Sequence, residues 1–116
     1  MPLTPMDLVA AAKQNITEID VDRAKVLLDS HLVLDVREPA EFGAGSLPGA
    51  INIPRGVLEF KIADHPDFKD KQAAKIIVYC RTGGRSALAT ETLNKLGYSN
   101  AISMAGGYTA WMESHS

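Results

Sequence analysis

Residues 75–96 read KIIVYCRTGGRSALATETLNKL and join a strand pattern to a helix pattern. The nearly continuous apolar run at 75–79 is typical of a buried strand of a parallel sheet, and helix-forming residues at 86–96 end before Gly97. Between them lies Cys80, followed by the loop RTGGRS. Because backbone N–H groups converge on anions where a strand end meets a helix start, this segment predicts an anion site beside a thiol.

Strand and helix patterns also alternate along the rest of the chain. We predict further strands at about 16–19, 31–36, 50–53 and 100–103, and further helices at about 7–13, 21–29, 39–42 and 56–63 with a short last helix around Trp111. The polar stretch 64–71, which contains Pro66, is expected to be a flexible connection. The alternation favours an α/β fold with a mainly parallel sheet that helices cover on both faces.

Composition and charge limit the classes of function. The 116 residues suit one domain, and the formal net charge of −2 gives no reason to expect nucleic acid or an anionic membrane as a partner. A single cysteine excludes an intrachain disulfide and fits a reducing compartment. Neither a signal-peptide pattern nor an apolar run of membrane-spanning length is present, so the cytoplasm is the expected location.

The loop after Cys80 supplies groups that stabilise a thiolate, the reactive form of cysteine. These loop residues are Arg81, Thr82, Gly83, Gly84, Arg85 and Ser86. The arginines carry positive charge, the hydroxyls can donate hydrogen bonds, and the glycines let the backbone approach an anion closely. A lone cysteine is more often an inert buried residue, but these surroundings match the electropositive setting of reactive cysteines. The loop therefore favours sulfur or oxyanion chemistry.

Four motifs occur in a specific order along the chain. They are LDVRE at 34–38 with EF at 41–42, GSLPGAINIP at 45–54, CRTGGRS at 80–86 and GGYTAW at 106–111. Together they resemble the signatures of the rhodanese-like family of single-domain sulfurtransferases. The resemblance implies a three-layer α/β/α fold with a roughly five-stranded central sheet, a rhodanese-like domain at 15–116 and an N-terminal helical extension at 1–14.

The same resemblance implies a reaction. A thiosulfate sulfurtransferase of this family takes a sulfane sulfur onto its cysteine, here Cys80, as a persulfide and passes it to a thiophilic acceptor such as cyanide or a thiol. We expect residues 81–86 to bind the substrate, a small sulfur-containing anion, with Arg81 as the best candidate for recruiting it. A sulfur-acceptor protein is a further candidate partner. Neither a metal nor another cofactor is expected, because the scattered histidines show no ligand spacing.

Four residues outside the loop are candidates for supporting roles. Asp35 and Arg37 lie at the carboxyl end of a predicted strand, where open α/β sheets bind ligands. We expect Arg37 to pair with Glu41 or Glu38 and to pin a loop, and Asp35 to support that loop or to form a wall of the site. Ser46 stands where the family's second signature usually has histidine, which leaves substrate preference and assistance to the acceptor open.

The spacing between Cys80 and Arg85 bears on the choice of anion. Four residues separate them, whereas protein tyrosine phosphatases use a Cys-x5-Arg loop, and the shorter loop makes a narrower cradle that better suits a single sulfur. Arg85 is expected to donate to a substrate or to the loop's own carbonyl groups. The alternatives are a sulfur carrier for a protein partner, a binding or regulatory domain, and a phosphatase or arsenate reductase. The sequence leaves the oligomeric state open.

Overall fold

The computed structural model describes residues 2–115 and contains a five-stranded, all-parallel sheet. Its strands are β1 (Glu18–Ile19), β2 (Leu32–Asp35), β3 (Ile51–Asn52), β4 (Ile76–Tyr79) and β5 (Ala101–Met104). Their spatial order is β1-β5-β4-β2-β3, which places β4 at the centre. Since every pairing is parallel, the carboxyl ends of all strands meet at one edge of the sheet.

Helices connect the strands. They are α1 (Pro5–Lys13), α2 (Val21–Leu27), α3 (Pro39–Ala44), α4 (Leu58–Lys61), α5 (Gly84–Lys95) and α6 (Gly107–Glu113). Short 3₁₀ turns extend α2 at Leu28–Ser30 and flank α4 at Arg55–Val57 and Ile62–Asp64, so the helix predicted at 56–63 is divided into three pieces. Among the helices of residues 2–115, none combines the length and hydropathy that a membrane span requires.

Both faces of the sheet are covered, as expected for three layers. Along β4, Ile76 and Val78 face one apolar cluster, whereas Ile77 and Tyr79 face another. The first cluster includes residues of α4 and α5, and the second includes residues of α2 and α6. Trp111 of α6 is only 7% exposed within the second cluster, so it anchors α6 to the sheet. The α/β fold with helices on both faces is therefore confirmed.

Helix α1 packs against α5. The side chain of Thr4 caps α1 by accepting the backbone N–H of Asp7 at 3.1 Å, so the helix begins at Pro5, two residues before the predicted start. Val9 and Ala12 of α1 form a small buried cluster with Ala87 of α5. The N-terminal helix thus covers the beginning of α5, the helix that follows Cys80.

The segment at 64–71 is anchored, so the prediction of a flexible connection is wrong. Phe68 is fully buried in the first apolar cluster, and its carbonyl accepts the hydroxyl of Tyr98 at 3.1 Å. The backbone N–H groups of Phe68 and Lys69 both donate to the carbonyl of His65. The polar composition and Pro66 suggested mobility, but one buried aromatic side chain ties the segment to the core.

Candidate functional site

Cys80 lies at the carboxyl end of the central strand β4, and its side chain is 1% exposed. The backbone N–H of Gly83 donates to Cys80 Sγ at 3.1 Å. The hydroxyl oxygen of Ser86 lies 3.6 Å from the same sulfur. In this second contact the neutral thiol donates and the Ser86 oxygen accepts, so of the two contacts it is the Gly83 N–H that stabilises negative charge on the sulfur.

The turn from the loop into α5 depends on Gly83. Gly83 has a φ of +108°, in the left-handed region that favours glycine, and a Cβ there would lie 3.3 Å from the backbone nitrogen of Gly106. The helix then starts at Gly84. Because the first N–H groups of a helix have no acceptor within it, α5 directs positive partial charge toward the sulfur.

Helix α6 holds the beginning of the loop. The backbone N–H of Tyr108 donates to the carbonyl of Cys80 at 2.8 Å, and that of Thr109 donates to the carbonyl of Arg81 at 3.0 Å. This contact requires glycine at 107, because a Cβ there would overlap the Cys80 carbonyl oxygen and lie 2.6 Å from that of Arg81. The glycine pair of the last motif therefore fixes the backbone that carries the thiol.

Arg85 is bound to Glu41, which was not the expected arrangement. Its Nη1 and Nη2 donate to the two carboxylate oxygens of Glu41 at 2.8 and 3.2 Å. Arg85, together with the backbone N–H of Glu38, lowers the pKa of Glu41 to about 2. Within residues 2–115 Arg85 donates to no loop carbonyl, because this bidentate pair ties α3 to α5 instead, whereas its binding of a substrate stays a prediction.

Arg37 pairs with Asp35, so the prediction that it pairs with Glu41 or Glu38 is wrong. Its Nη2 donates to Asp35 Oδ2 at 2.8 Å and to the carbonyl of Gly45 at 2.6 Å. Arg37 is 4% exposed and Asp35 is fully buried. Burial opposes the charge of the guanidinium, but the adjacent carboxylate of Asp35 raises the pKa of Arg37 above its ordinary value. A buried cation needs a buried counter-charge, and the more exposed glutamates cannot provide it.

Two tyrosines complete the surroundings of the Asp35–Arg37 pair. The hydroxyl of Tyr79 donates to Asp35 Oδ2 at 2.8 Å and accepts the backbone N–H of Leu47 at 3.1 Å. Burial of the side chain is the main reason why the pKa of Tyr79 is raised above its usual value. The guanidinium of Arg37 lies 4.4 Å from the centre of the Tyr108 ring, in a cation–π contact. Sequence reasoning missed both tyrosines, although Tyr108 lies in the GGYTAW motif.

A cavity of about 250 Å³ opens beside the loop. Its lining residues are Arg37, Glu41, Ala44, Gly45, Arg81, Tyr108 and Thr109. Asp35 neutralises Arg37, and Arg85 neutralises Glu41. Exposed Arg81, the third charged lining residue, has no ion pair among residues 2–115. Arg81 thus gives this cavity an uncompensated positive charge.

A second cavity of similar size, about 240 Å³, lies between the end of α1 and α5. Its lining residues are Asn15, Glu91, Asn94 and Lys95. Cys80 lines neither cavity, but the second one contains none of the candidate residues, whereas Arg37, Glu41 and Arg81 line the first. Asn15 and Glu91 of the second cavity already bind each other at 3.0 Å. We therefore assign the candidate site to the cavity beside Arg81.

The remaining predicted site residues are Thr82, Gly84 and Ser46, and their surroundings differ. Thr82 is exposed on the loop. Gly84 faces α1, since a Cβ there would lie 3.6 Å from a methyl group of Val9. Ser46 is half-buried, donates to the carbonyl of Leu47 at 3.2 Å and is not among the residues that line either cavity. Within the described part of the chain, no three His, Cys, Asp or Glu side chains form a cluster that could hold a metal ion.

Known proteins resemble this chain in sequence and in fold. A family model described as the rhodanese-like domain matches residues 12–114. Thiosulfate sulfurtransferase 16 of Arabidopsis thaliana, a chloroplastic protein, is 41% identical over 95 residues, which span 74% of this chain and 78% of the relative. The solved structure of a human single-domain sulfurtransferase superposes with a TM-score of 0.78 at 31% identity, covering 85% of this chain and 97% of the other.

A further solved structure, from Rhodopseudomonas palustris, bears on the alternatives. It belongs to a protein of unknown function named as a possible tyrosine phosphatase. Its TM-score is 0.86 at 29% identity, and the superposition covers 99% of this chain and 96% of the other. The similarity therefore extends over the whole described chain, α1 included.

The contact between Gly107 and the loop predicts a large effect of a single methyl group. Gly107→Ala should lower the free energy of unfolding by at least about 2 kcal/mol, because it combines a left-handed φ with backbone overlap. The matched control is Gly43→Ala in α3, where no atom lies within 4 Å of the added Cβ. The free energy of unfolding of that variant should be higher by about 0.5–1 kcal/mol, because alanine favours a helix more than glycine does. Urea unfolding followed by tryptophan fluorescence measures both, and equal stability of the two variants would contradict the account.

The Arg85–Glu41 pair predicts a pH-dependent contribution to stability. Folded Glu41 stays ionised down to a pKa of about 2, whereas in the unfolded chain it titrates near 4.5. The contribution of this ion pair to the free energy of unfolding is therefore complete above about pH 5 and is lost as the pH falls toward 2. Glu41→Gln should lower the free energy of unfolding by about 1 kcal/mol at pH 7, a value suited to a partly exposed bidentate pair.

This difference between wild type and Glu41→Gln should shrink steadily in urea titrations from pH 5 toward pH 3. The control is Glu59→Gln, which breaks the exposed 3.0 Å pair with Arg55 within one turn. Glu59→Gln should lower the free energy of unfolding by less than Glu41→Gln does, by about 0.3–0.5 kcal/mol. A Glu41→Gln effect that stays constant over this pH range would rule out the ion pair as its cause.

Proposed function

The chain belongs to the rhodanese-like domain family and is a rhodanese-type sulfurtransferase, and we propose that it transfers the sulfane sulfur of a thiosulfate-type donor through a persulfide on Cys80. One observation carries the proposal: the sulfur of Cys80 accepts the N–H of Gly83 at 3.1 Å beside a cavity with an uncompensated arginine. The first feature stabilises a thiolate, and the second attracts an anionic donor.

The proposed reaction has two steps. In the first, the Cys80 thiolate attacks the sulfane sulfur of thiosulfate; a sulfur–sulfur bond forms on Cys80, the sulfur–sulfur bond of thiosulfate breaks, and sulfite leaves with the electron pair. In the second, the acceptor attacks the terminal sulfur and Cys80 leaves as a thiolate. Cyanide would become thiocyanate, and a thiol would become a persulfide. The backbone N–H of Gly83 stabilises the anionic sulfur before the first step and after the second.

The state of Arg85 supports sulfur transfer over phosphate or arsenate chemistry. A phosphatase loop needs its arginine free to bind the tetrahedral anion, but both terminal nitrogens of Arg85 are bound to Glu41. Binding phosphate would break this pair. We therefore propose that a chromogenic phosphate ester and arsenate are not turned over, even though one structural neighbour is named as a possible tyrosine phosphatase.

The acceptor and the compartment belong to the same proposal. Ser46 points its hydroxyl to the carbonyl of Leu47, so nothing at that position replaces the histidine usual in the family. This supports a second candidate role, a sulfur carrier that delivers to a protein thiol faster than to cyanide. Cys80 must stay reduced to react, which supports a reducing compartment such as the cytoplasm as the proposed location.

The persulfide can be tested by mass. After incubation with thiosulfate and removal of excess reagent, the intact protein should gain the mass of one sulfur atom, and cyanide or a thiol should remove it. Cys80→Ala should gain nothing, because the chain has no other cysteine. Absence of the gain with every sulfane donor tried would overturn the proposed function.

The role of Arg81 can be tested by kinetics. Arg81→Ala should raise KM for thiosulfate about tenfold with little change in kcat, because it removes one charge that attracts the anion without altering the sulfur's hydrogen bonds. Arg81→Lys should recover part of this loss. The control, Arg23→Ala, removes an exposed arginine of α2 outside the cavity and should leave KM unchanged. An unchanged KM in Arg81→Ala would contradict this role.

A further inference from the structure

Ser103 lies on β5 next to the central strand and is fully buried. It pairs in register with Val78, which is on the same face of the sheet as Cys80. Its Oγ donates to the Oγ of Ser86 at 3.0 Å. We propose that Ser103 is a positioning residue that directs the hydroxyl proton of Ser86 toward the sulfur of Cys80, an inference that rests on the proposed function.

A serine hydroxyl has one proton to donate and two lone pairs that accept. Ser86 Oγ accepts from Ser103 at 3.0 Å and from the neutral thiol of Cys80 at 3.6 Å, and it donates its own proton to the carbonyl of Gly83 at 3.2 Å. Within residues 2–115, Ser103 has no other side-chain partner. When Cys80 loses its proton, Ser103 still donates to Ser86 Oγ, and the Ser86 proton then has two acceptors within reach, the Gly83 carbonyl and the sulfur.

The charge on the sulfur then selects between the acceptors. Hydrogen bonds to an ionised acceptor are roughly twice as strong as neutral ones. A thiolate or persulfide anion on Cys80 therefore attracts the Ser86 proton away from the carbonyl of Gly83. The exposed fractions are 0% for Ser86, 0% for Ser103 and 1% for Cys80, so water does not compete for these groups.

Removing the Ser103 hydroxyl makes the ionisation of Cys80 less favourable. Ser86 Oγ would then accept only from the S–H group of neutral Cys80, so the loss of that proton would leave the oxygen without a donor in a dry environment. Ser86 would also donate more weakly, since a hydroxyl that accepts a hydrogen bond donates a stronger one. Both effects favour the thiol over the thiolate, so Cys80 in a Ser103→Ala protein should ionise at higher pH.

Other charged and titratable groups surround Cys80, and the variants leave them in place. They are Arg81 in the loop, Arg85 on α5, Glu38 and Glu41 at α3, Asp35 at the end of β2, Arg37 after it, Tyr79 on β4 and Tyr108 on α6. A change in the ionisation of Cys80 that follows the hydroxyl at 103 therefore reports on Ser103 itself.

The test is a titration of the ultraviolet absorbance of the thiolate, from which the curve of Cys80→Ala is subtracted. Ser103→Ala should move the midpoint upward by about 0.3–1 pH unit, the range expected when one buried, cooperative hydrogen bond is lost. Ser103→Thr, which keeps a hydroxyl on a strand, should restore the wild-type midpoint, and its near-isostere Ser103→Val should not. The comparison of Ser103→Thr with Ser103→Val keeps the test valid if the alanine variant folds poorly.

A double-mutant cycle separates positioning from general destabilisation. In a Ser86→Ala background, Ser103→Ala should shift the midpoint no further, because the effect passes through Ser86. The matched control is Thr90→Val, which removes another buried hydroxyl of α5, one without a hydrogen-bond partner in the described chain, and should leave the midpoint unchanged.

Two results would overturn the inference: an unchanged midpoint in Ser103→Ala, or an equal shift in the presence and absence of the Ser86 hydroxyl. The titration needs no sulfur donor. Failure of the persulfide to form would therefore reject the proposed function without affecting this result, and a normal persulfide with an unchanged midpoint would reject only the role of Ser103.

Discussion

The hydrogen bond from the Gly83 N–H to the sulfur of Cys80 is the interaction on which the candidate site depends. It forms only if the chain turns immediately after the central strand, and the left-handed φ of Gly83 makes that turn possible. Two elements hold the turn: α6 binds the carbonyls of Cys80 and Arg81, and α1 packs on the first turn of α5. The fold thus places the thiol of Cys80 at the carboxyl edge of the sheet and fixes the backbone around it.

The distribution of charge around this turn separates structural arginines from the one available to a substrate. Arg37 is neutralised by buried Asp35, and Arg85 is neutralised by Glu41. Arg81 alone among the arginines beside the loop has no ion pair within the described residues. For the proposed sulfur transfer, this pattern leaves one arginine to attract a small anionic donor, while the other two arginines hold the structure together.

Much of this arrangement could be predicted from the sequence, because it depends on local patterns. The apolar run before Cys80, the glycines after it and the order of the four motifs indicated the sheet, the loop and the family. The division into an extension at 1–14 and a domain at 15–116 stays a prediction, as do the roles of individual site residues. Phe68 shows the limit of composition, since a single buried ring anchored a segment that was otherwise polar.

Side-chain partners could not be predicted in the same way. Which acidic residue binds Arg37 or Arg85 depends on burial and on how α3 packs, and neither is visible in sequence spacing. Ser103 gave no sequence signal, because its contact with Ser86 arises from the pairing of β5 with β4.

The most direct test of the central claim is a crystal structure of the protein after treatment with thiosulfate. The account predicts one additional sulfur atom bonded to Cys80 Sγ and enclosed by the loop at 80–86, with the Arg85–Glu41 pair intact. An unmodified Cys80 with an intact anion bound to Arg85, or a cysteine that remains unmodified although sulfur is transferred, would contradict it.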